Sequence, residues 1–143
     1  MLYQTIYVSS AAGMPSQSVL DDILATSRHN NAADDISGLL LFHDGNFFQV
    51  LEGPEEKVVA CYNRIRQDSR HTGCIVMLSG EIEARNFASW DMGFIPFADL
   101  DGNQQKSFID IRDIGRSAKM QEAEQQKAVA LMLNAFLLTL RRF

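Results

Sequence analysis

Gln49 lies in the run Asn46 to Glu52, where Phe47, Gln49 and Leu51 share one face of a strand and Phe48 and Val50 share the other. An amide between two large apolar side chains is expected to be buried, and a buried amide without a partner costs about 1 to 3 kcal/mol. It therefore needs a hydrogen-bonding neighbour inside the fold or a bound ligand. The backbone of a neighbouring strand would serve, but Tyr7 weighs toward a shared site. It lies on the more polar face of Leu2 to Ser9, with Tyr3, Thr5 and Ser9, while Leu2, Ile6 and Val8 line the other face. Two adjacent strands can then aim a phenol and an amide at one point. Asn30 and Asn31 add two amides where a first helix ends, a place where simple helix termination would also explain them. Arg64 and Asp68 stand at i and i+4 on a second helix, which puts both on one face, the spacing also of an ordinary surface ion pair. Taken together the set suits a planar ligand. A ring edge rich in carbonyl and imide groups matches the amides, a polyol chain matches Arg64 and Asp68, and two apolar helix faces can sandwich the ring.

Periodicity and punctuation supply a frame for these groups. After the first strand, Gly13, Met14 and Pro15 break the chain, and Ser16 or Ser18 can cap a helix with Val19, Leu20, Ile23 and Leu24 on one side, running to about Asn30. Ile36 to His43 reads as a second strand, Asp44 and Gly45 as a hairpin turn, and Asn46 to Glu52 as an antiparallel third strand. Gly53 ends that strand, Pro54 suits a first helical turn, and Glu55 and Glu56 complement the helix dipole. Val58, Cys61, Tyr62 and Ile65 then fall at helical spacing. Gly73 to Ile82 and Trp90 to Phe97 read as fourth and fifth strands, with a short helix near Gln104 to Arg112 and a long one from about Ala118 to Arg142. The fold class is α/β (α+β): a ferredoxin-like βαββαββ sheet with both helices on one face and C-terminal helices on the opposite face.

Composition narrows the classes. The chain has 143 residues, 46% hydrophobic and 22% charged, which suits one globular domain. A net charge of -5 gives no general attraction to phosphate backbones, so nucleic acid is not an expected partner. The apolar run Ala128 to Leu140 is interrupted by Asn134 and Thr139 and is shorter than the roughly 18 residues of a spanning helix, so no membrane is expected. The N-terminus lacks the flank and cleavage site of a secretory signal, which reads as cytoplasmic, with Cys61 and Cys74 as reduced, packing thiols. No metal is expected: the turn Asp99 to Asn103 lacks the ligands of a calcium loop, and His29, His43 and His71 show no zinc spacing. Ser9 and Ser10 lack the glycines of a nucleophile elbow.

The stretches LYQTIYVSS, SRHNNAADDISGLLLF, GNFFQVLEGP, RIRQDSRH and RNFASWDM, in this order and spacing, resemble the BLUF domain, the photoreceptors of blue light using FAD. The resemblance covers about residues 1 to 97. It implies a flavin-binding sensory unit over 1–97, with 98–143 as a helical cap or output extension of the same domain. It implies a non-covalent FAD, with FMN or riboflavin as possible substitutes, since the pocket residues address the ring and ribityl chain. It implies that Tyr7 and Gln49 are the photoactive pair, that Asn31 binds the ring edge with Asn30 assisting, that Arg64 and Asp68 contact the flavin or its ribityl chain, and that His71 belongs to the same segment. Trp90 and Met92 match a pair on the fifth strand that relays the signal; plain core packing is the competing reading of both. The implied photochemistry is electron transfer from tyrosine to excited flavin, followed by rotation or tautomerisation of the glutamine amide. The resemblance is to short members that act on a separate signalling protein, so the chain is not expected to be an enzyme. The apolar C-terminal helix points to a homo-oligomer, a dimer or larger. Two other classes share parts of the pattern. A small acylphosphatase-like hydrolase would need a phosphate loop with an arginine after the first strand, and Ser9 to Pro15 has none. A colourless ligand-binding or dimerisation module would differ in having no flavin absorption.

Overall fold

The computed structural model describes residues 1–13, 16–85, 91–94, 97–106 and 109, with the backbone alone at 71 and 91–94. Five strands and two helices run in the order β1 (Leu2–Ala11), α1 (Gln17–Ala33), β2 (Ser37–His43), β3 (Asn46–Pro54), α2 (Glu55–Gln67), β4 (His71–Ile82) and β5 (Asp91–Phe94), with a 3-10 turn at Phe97–Asp99. The sheet order is β4-β1-β3-β2-β5. All neighbours are antiparallel except β5, which joins β2 in parallel. This is the ferredoxin-like arrangement, with a fifth strand added at the β2 edge.

Local chemistry accounts for the turns. Asp44 and Gly45 both have positive φ, 51° and 77°, as a two-residue hairpin between right-twisted strands requires. Ser16 caps α1 by accepting from the Val19 N–H at 3.4 Å. The helix leaves its axis at Asp35, whose φ of 57° is left-handed and tolerable for a short polar side chain. Gly53 fits closely under this turn: a Cβ there would sit 2.7 Å from the Asp35 carbonyl oxygen, so β3 and the start of β2 approach too tightly for any side chain. Arg85, after β4, fastens the same corner. Its guanidinium donates to the Asp35 carbonyl (2.8 Å), the Glu52 carbonyl (3.0 Å) and Ser37 Oγ (2.9 Å).

Strand alternation splits the core into two halves. On the helix face Tyr7, Leu40, Phe47 and Leu51 pack with Leu20, Ile23 and Leu24 of α1 and Val58 and Cys61 of α2. On the other face Ile6, Val8, Leu39, Leu41, Phe48 and Val50 pack with Met77, and Phe97, Leu100 and Ile109 cover them. The His43 imidazole stacks on Phe97, centroids 3.5 Å apart and planes 12° from parallel, which ties the end of β2 to this cover. Residues 102–106 are helical. The faces match those expected from the sequence. The lengths differ: β1 extends to Ala11, α1 to Ala33 and β3 to Pro54, and Pro54 is the N-cap of α2, one position earlier than expected. Within the expected fifth strand Trp90 to Phe97, Asp91–Phe94 form β5 and Phe97 belongs to the 3-10 turn, while Trp90 and 95–96 lie outside the described residues. The long helix expected over 118–142 lies outside the described residues.

Candidate functional site

Tyr7 and Gln49 are direct cross-strand partners on the two central strands, and Leu40 of β2 faces Gln49 from the other side. Pairing of β1 with β4 slips between Ile6 and Tyr7, a bulge of the kind that re-aims a side chain. Tyr7 is 0% exposed and Gln49 2%. The Tyr7 hydroxyl donates to Gln49 Oε1, so the amide oxygen faces the phenol and the nitrogen end points elsewhere. The ring of Tyr62 meets Tyr7 edge-on at 5.2 Å and 62°. Burial holds the Tyr7 phenol well above its ordinary pKa, with the neighbouring Cys74 and Cys61 acting in the same direction. Tyr7 is thus a neutral hydrogen-bond donor.

The helices bring in the second set of groups. Asn31 is on the buried side of α1, near its end, and its backbone carbonyl accepts from the N–H groups of Asp34 (3.2 Å) and Ile36 (2.9 Å). Its side chain is 1% exposed; Oδ1 lies 3.5 Å from Cys61 Sγ of α2, and Nδ2 has no partner among the described residues. Asn31 and Gln49 line a cavity of about 80 Å³ together with Asn30, Ile23 and Ile65, and with Arg64, Asp68 and Arg70 around it. Ile23 of α1 and Ile65 of α2 supply the apolar flanks expected of a ring sandwich.

Arg64 and Asp68 both line this cavity, but not as neighbours on one helix. The helix ends at Gln67 and Asp68 is its extended C-cap, φ -72° and ψ 127°, so the i, i+4 geometry expected of the pair does not form. Arg64 donates to Asp34 Oδ2 at 3.0 Å. Asp68 accepts from Arg70, at 2.6 Å from Nη2 and 3.0 Å from Nε, and also caps the Arg70 backbone N–H at 2.9 Å. This fork raises the Arg70 pKa further, chiefly through the hydrogen bonds to Asp68. Arg70 and Cys61 were not singled out from the sequence as site residues. Cys61 already stood in the apolar repeat of α2, and a thiol that lines a cavity has the same spacing as one that packs. Arg70 lies past the helix, where no periodicity assigns a face. His71 begins β4, paired with Ala11, and Met92 lies in β5; Trp90 and the side chains of His71 and Met92 are outside the described residues.

The residues present fit a flavin. The fully buried Asn31 Nδ2 is a donor that lacks an acceptor among the described residues, and a ring carbonyl is one. The cavity is narrower than the roughly 300 Å³ and above typical of ligand pockets, so a ring would displace the mouth residues. Arg64, Arg70 and Asp68, with side chains 49%, 31% and 27% exposed, can yield where Tyr7 and Gln49 cannot. Among the described residues no cluster of His, Cys, Asp or Glu could hold a metal, and no helix is long and apolar enough to cross a membrane.

The buried acids also set an alkaline limit. Burial pushes the Cys61 thiol from 9.0 to about 11, against a smaller opposing pull from Arg64. The unfolded chain ionises this thiol from about pH 9 and the folded chain only near 11. The folded state is then the one that binds more protons, so stability present below pH 9 falls through this window by up to about 1.4 kcal/mol per pH unit. Tyr7 adds to the fall above its ordinary value of 10.0. Urea denaturation of the flavin-free protein is expected to weaken steeply over this range, and less steeply in Cys61→Ala and Tyr7→Phe. Identical slopes in all three proteins would mean that neither group is held neutral by the fold.

A family model described as sensors of blue-light using FAD matches residues 2–93. The chain belongs to the BLUF family. The BLUF relatives include the blue light- and temperature-regulated antirepressor BluF of Escherichia coli (strain K12), 35% identical over 92 residues, or 64% of this chain and 23% of that protein. The photoactivated adenylate cyclase subunit beta of Euglena gracilis is 35% identical over 115 residues, 73% of this chain and 13% of that one. The chain thus spans less than a quarter of the length of either relative. Among solved structures, BlsA in its photo-activated state superposes with a TM-score of 0.74 at 25% identity, covering 96% of this chain and 95% of that one. The dark state of BlrB, a BLUF protein, gives 0.69 at 25% identity, covering 91% and 96%. The BLUF family to which the chain belongs is described by blue-light sensing, with FAD as the chromophore.

Proposed function

We propose that light sensing in this chain runs through Tyr7 and Gln49, with Asn31 and Asn30 holding the ring edge and Arg64, Asp68, Arg70 and His71 the ring or its ribityl chain. The observation that carries this reading is the buried Tyr7 hydroxyl donating to Gln49 Oε1 at the wall of a cavity where Asn31 Nδ2 lacks an acceptor among the described residues. Bound FAD supplies blue absorption and an excited state able to accept an electron. Tyr7 would give up an electron to that excited state and, being acidified by the loss, pass its proton along the hydrogen bond to Gln49 Oε1, while Gln49 Nε2 releases a proton toward the cavity, where the reduced ring would take it. The Gln49 amide then rotates or tautomerises, which exchanges the donor and acceptor ends it offers to Tyr7 and to the cavity. Return of the electron and proton to Tyr7 restores the neutral phenol that burial favours.

Residues 1–97 form the sensory unit in this reading, and 98–143 the cap and output segment. Trp90 and Met92 carry the change from β5 toward that cap, and a separate signalling protein, or a second copy of the chain, reads it. The chain itself is a sensor rather than an enzyme, and the two free cysteines Cys61 and Cys74 suit the reducing cytoplasm. An absorption spectrum of the purified protein before and after blue light tests the core of it. Yellow protein with a small red shift that reverses in the dark, the oxidised ring intact, is expected. Bleaching without a shifted band, or no light response in flavin-loaded protein, would overturn it.

A further inference from the structure

The Asn31 side chain poses a problem of orientation. Its amide has nearly the same shape when turned over, so sterics alone do not decide whether oxygen or nitrogen faces the cavity. What differs is the neighbour at 3.5 Å, Cys61 Sγ, which sits 30 residues away on the other helix. A neutral thiol is a weak donor and a poor acceptor. It is therefore satisfied by Oδ1 and badly matched to an NH2 group.

We infer that Cys61 is a positioning residue for flavin recognition: its S–H donates to Asn31 Oδ1 and commits the Nδ2 end to the cavity, where it takes a ring carbonyl oxygen. This deepens the assignment of the cavity as the flavin site and rests on it. Three observations converge on it. Cys61 is 4% exposed and Asn31 1%, so the contact is shielded from bulk solvent. Among the described residues Nδ2 is a buried donor left without a partner, at the wall shared with Gln49. Burial also keeps the thiol protonated, with a pKa of about 11, so the donor is present throughout the neutral range. With the amide reversed, Oδ1 would face a ring carbonyl and the pocket would set acceptor against acceptor. Cys61 thus selects ligands that present an acceptor at this point.

The test titrates FAD into flavin-free protein, with flavin fluorescence as the signal, for wild type, Cys61→Ala and Cys61→Ser, each with and without Asn31→Ala. Cys61→Ala is expected to weaken binding roughly 2- to 10-fold, the worth of one modest hydrogen bond. Cys61→Ser keeps a donor in nearly the same volume and is expected to preserve affinity. In the Asn31→Ala background Cys61→Ala should change nothing further. A readout independent of flavin is the infrared S–H band of flavin-free protein, assigned in a Cys74→Ala background. Adding Asn31→Ala should move that band toward an unbonded thiol. Serine as poor as alanine, an undiminished Cys61→Ala loss without Asn31, or an unmoved S–H band would overturn the proposal, leaving Cys61 a packing residue. Wild-type affinity in Asn31→Ala despite a moved band would instead bring down the flavin-site reading, and the proposal with it.

Discussion

A Tyr7→Phe variant is expected to load with flavin, stay yellow and show no reversible red shift under blue light, and Gln49→Leu is expected to do the same. Phenylalanine keeps the ring that packs in the helix-side core against Leu40, Phe47 and Leu51, so the cavity wall survives. What is lost is the only atom of Tyr7 that can release a proton, and with it the hydrogen bond to Gln49 Oε1. Leucine at 49 preserves volume between Phe47 and Leu51 but offers neither donor nor acceptor. Either change strands one buried polar atom, at a cost of about 1 to 3 kcal/mol, which a domain of ordinary stability survives. The optical effect is far larger, because removing either member removes the whole rearrangement. Difference spectra recorded light minus dark read it directly. A normal, reversible shift in either variant would retire the pair as the photoactive unit.

Asn31→Ala separates recognition from folding. Losing one or two hydrogen bonds to a buried ring edge should cost about 1 to 3 kcal/mol, or roughly 5- to 150-fold in flavin affinity. The fold should not suffer. The α1 terminus is held by the Asn31 backbone carbonyl, which alanine retains, and the loss of Nδ2, an atom unsatisfied among the described residues, offsets the loss of the weak Cys61 S–H contact to Oδ1. The expected signature is therefore of opposite sign in two measurements: weaker flavin binding by titration, and a thermal midpoint of the flavin-free protein equal to or above wild type. Full flavin retention through dialysis would remove Asn31 from the set that touches the ring.

The same contrast explains how much was legible in the sequence. Tyr7 and Gln49 could be found because strand alternation assigns faces without knowledge of the fold, and an amide between Phe47 and Leu51 breaks an apolar pattern. Asn31 stood out as an amide, but its burial depends on α1 continuing to Ala33, past the point where composition suggests an end. The Asp68 fork with Arg70 was hidden because it depends on where α2 stops; one further residue of helix would have given the expected i, i+4 pair. The pairing of buried Gln4 with buried Glu52, 2.9 Å across β1 and β3, was equally hidden, since a carboxylate on an otherwise apolar face gives no sequence signal of its partner.

The alternation along β3 has one more consequence, for how the gene can change. Phe47, Gln49 and Leu51 serve the helix face while Phe48 and Val50 build the opposite core, so the two halves of the molecule share one reading frame of side chains. Adding or deleting a single residue between Asn46 and Glu52 would turn Gln49 into the core of the opposite face and bring an apolar side chain to Tyr7. Length variation is therefore barred from this strand. A sensor of this design should diversify its outputs by changing segments beyond the sheet, never by rephasing the strand that carries its glutamine.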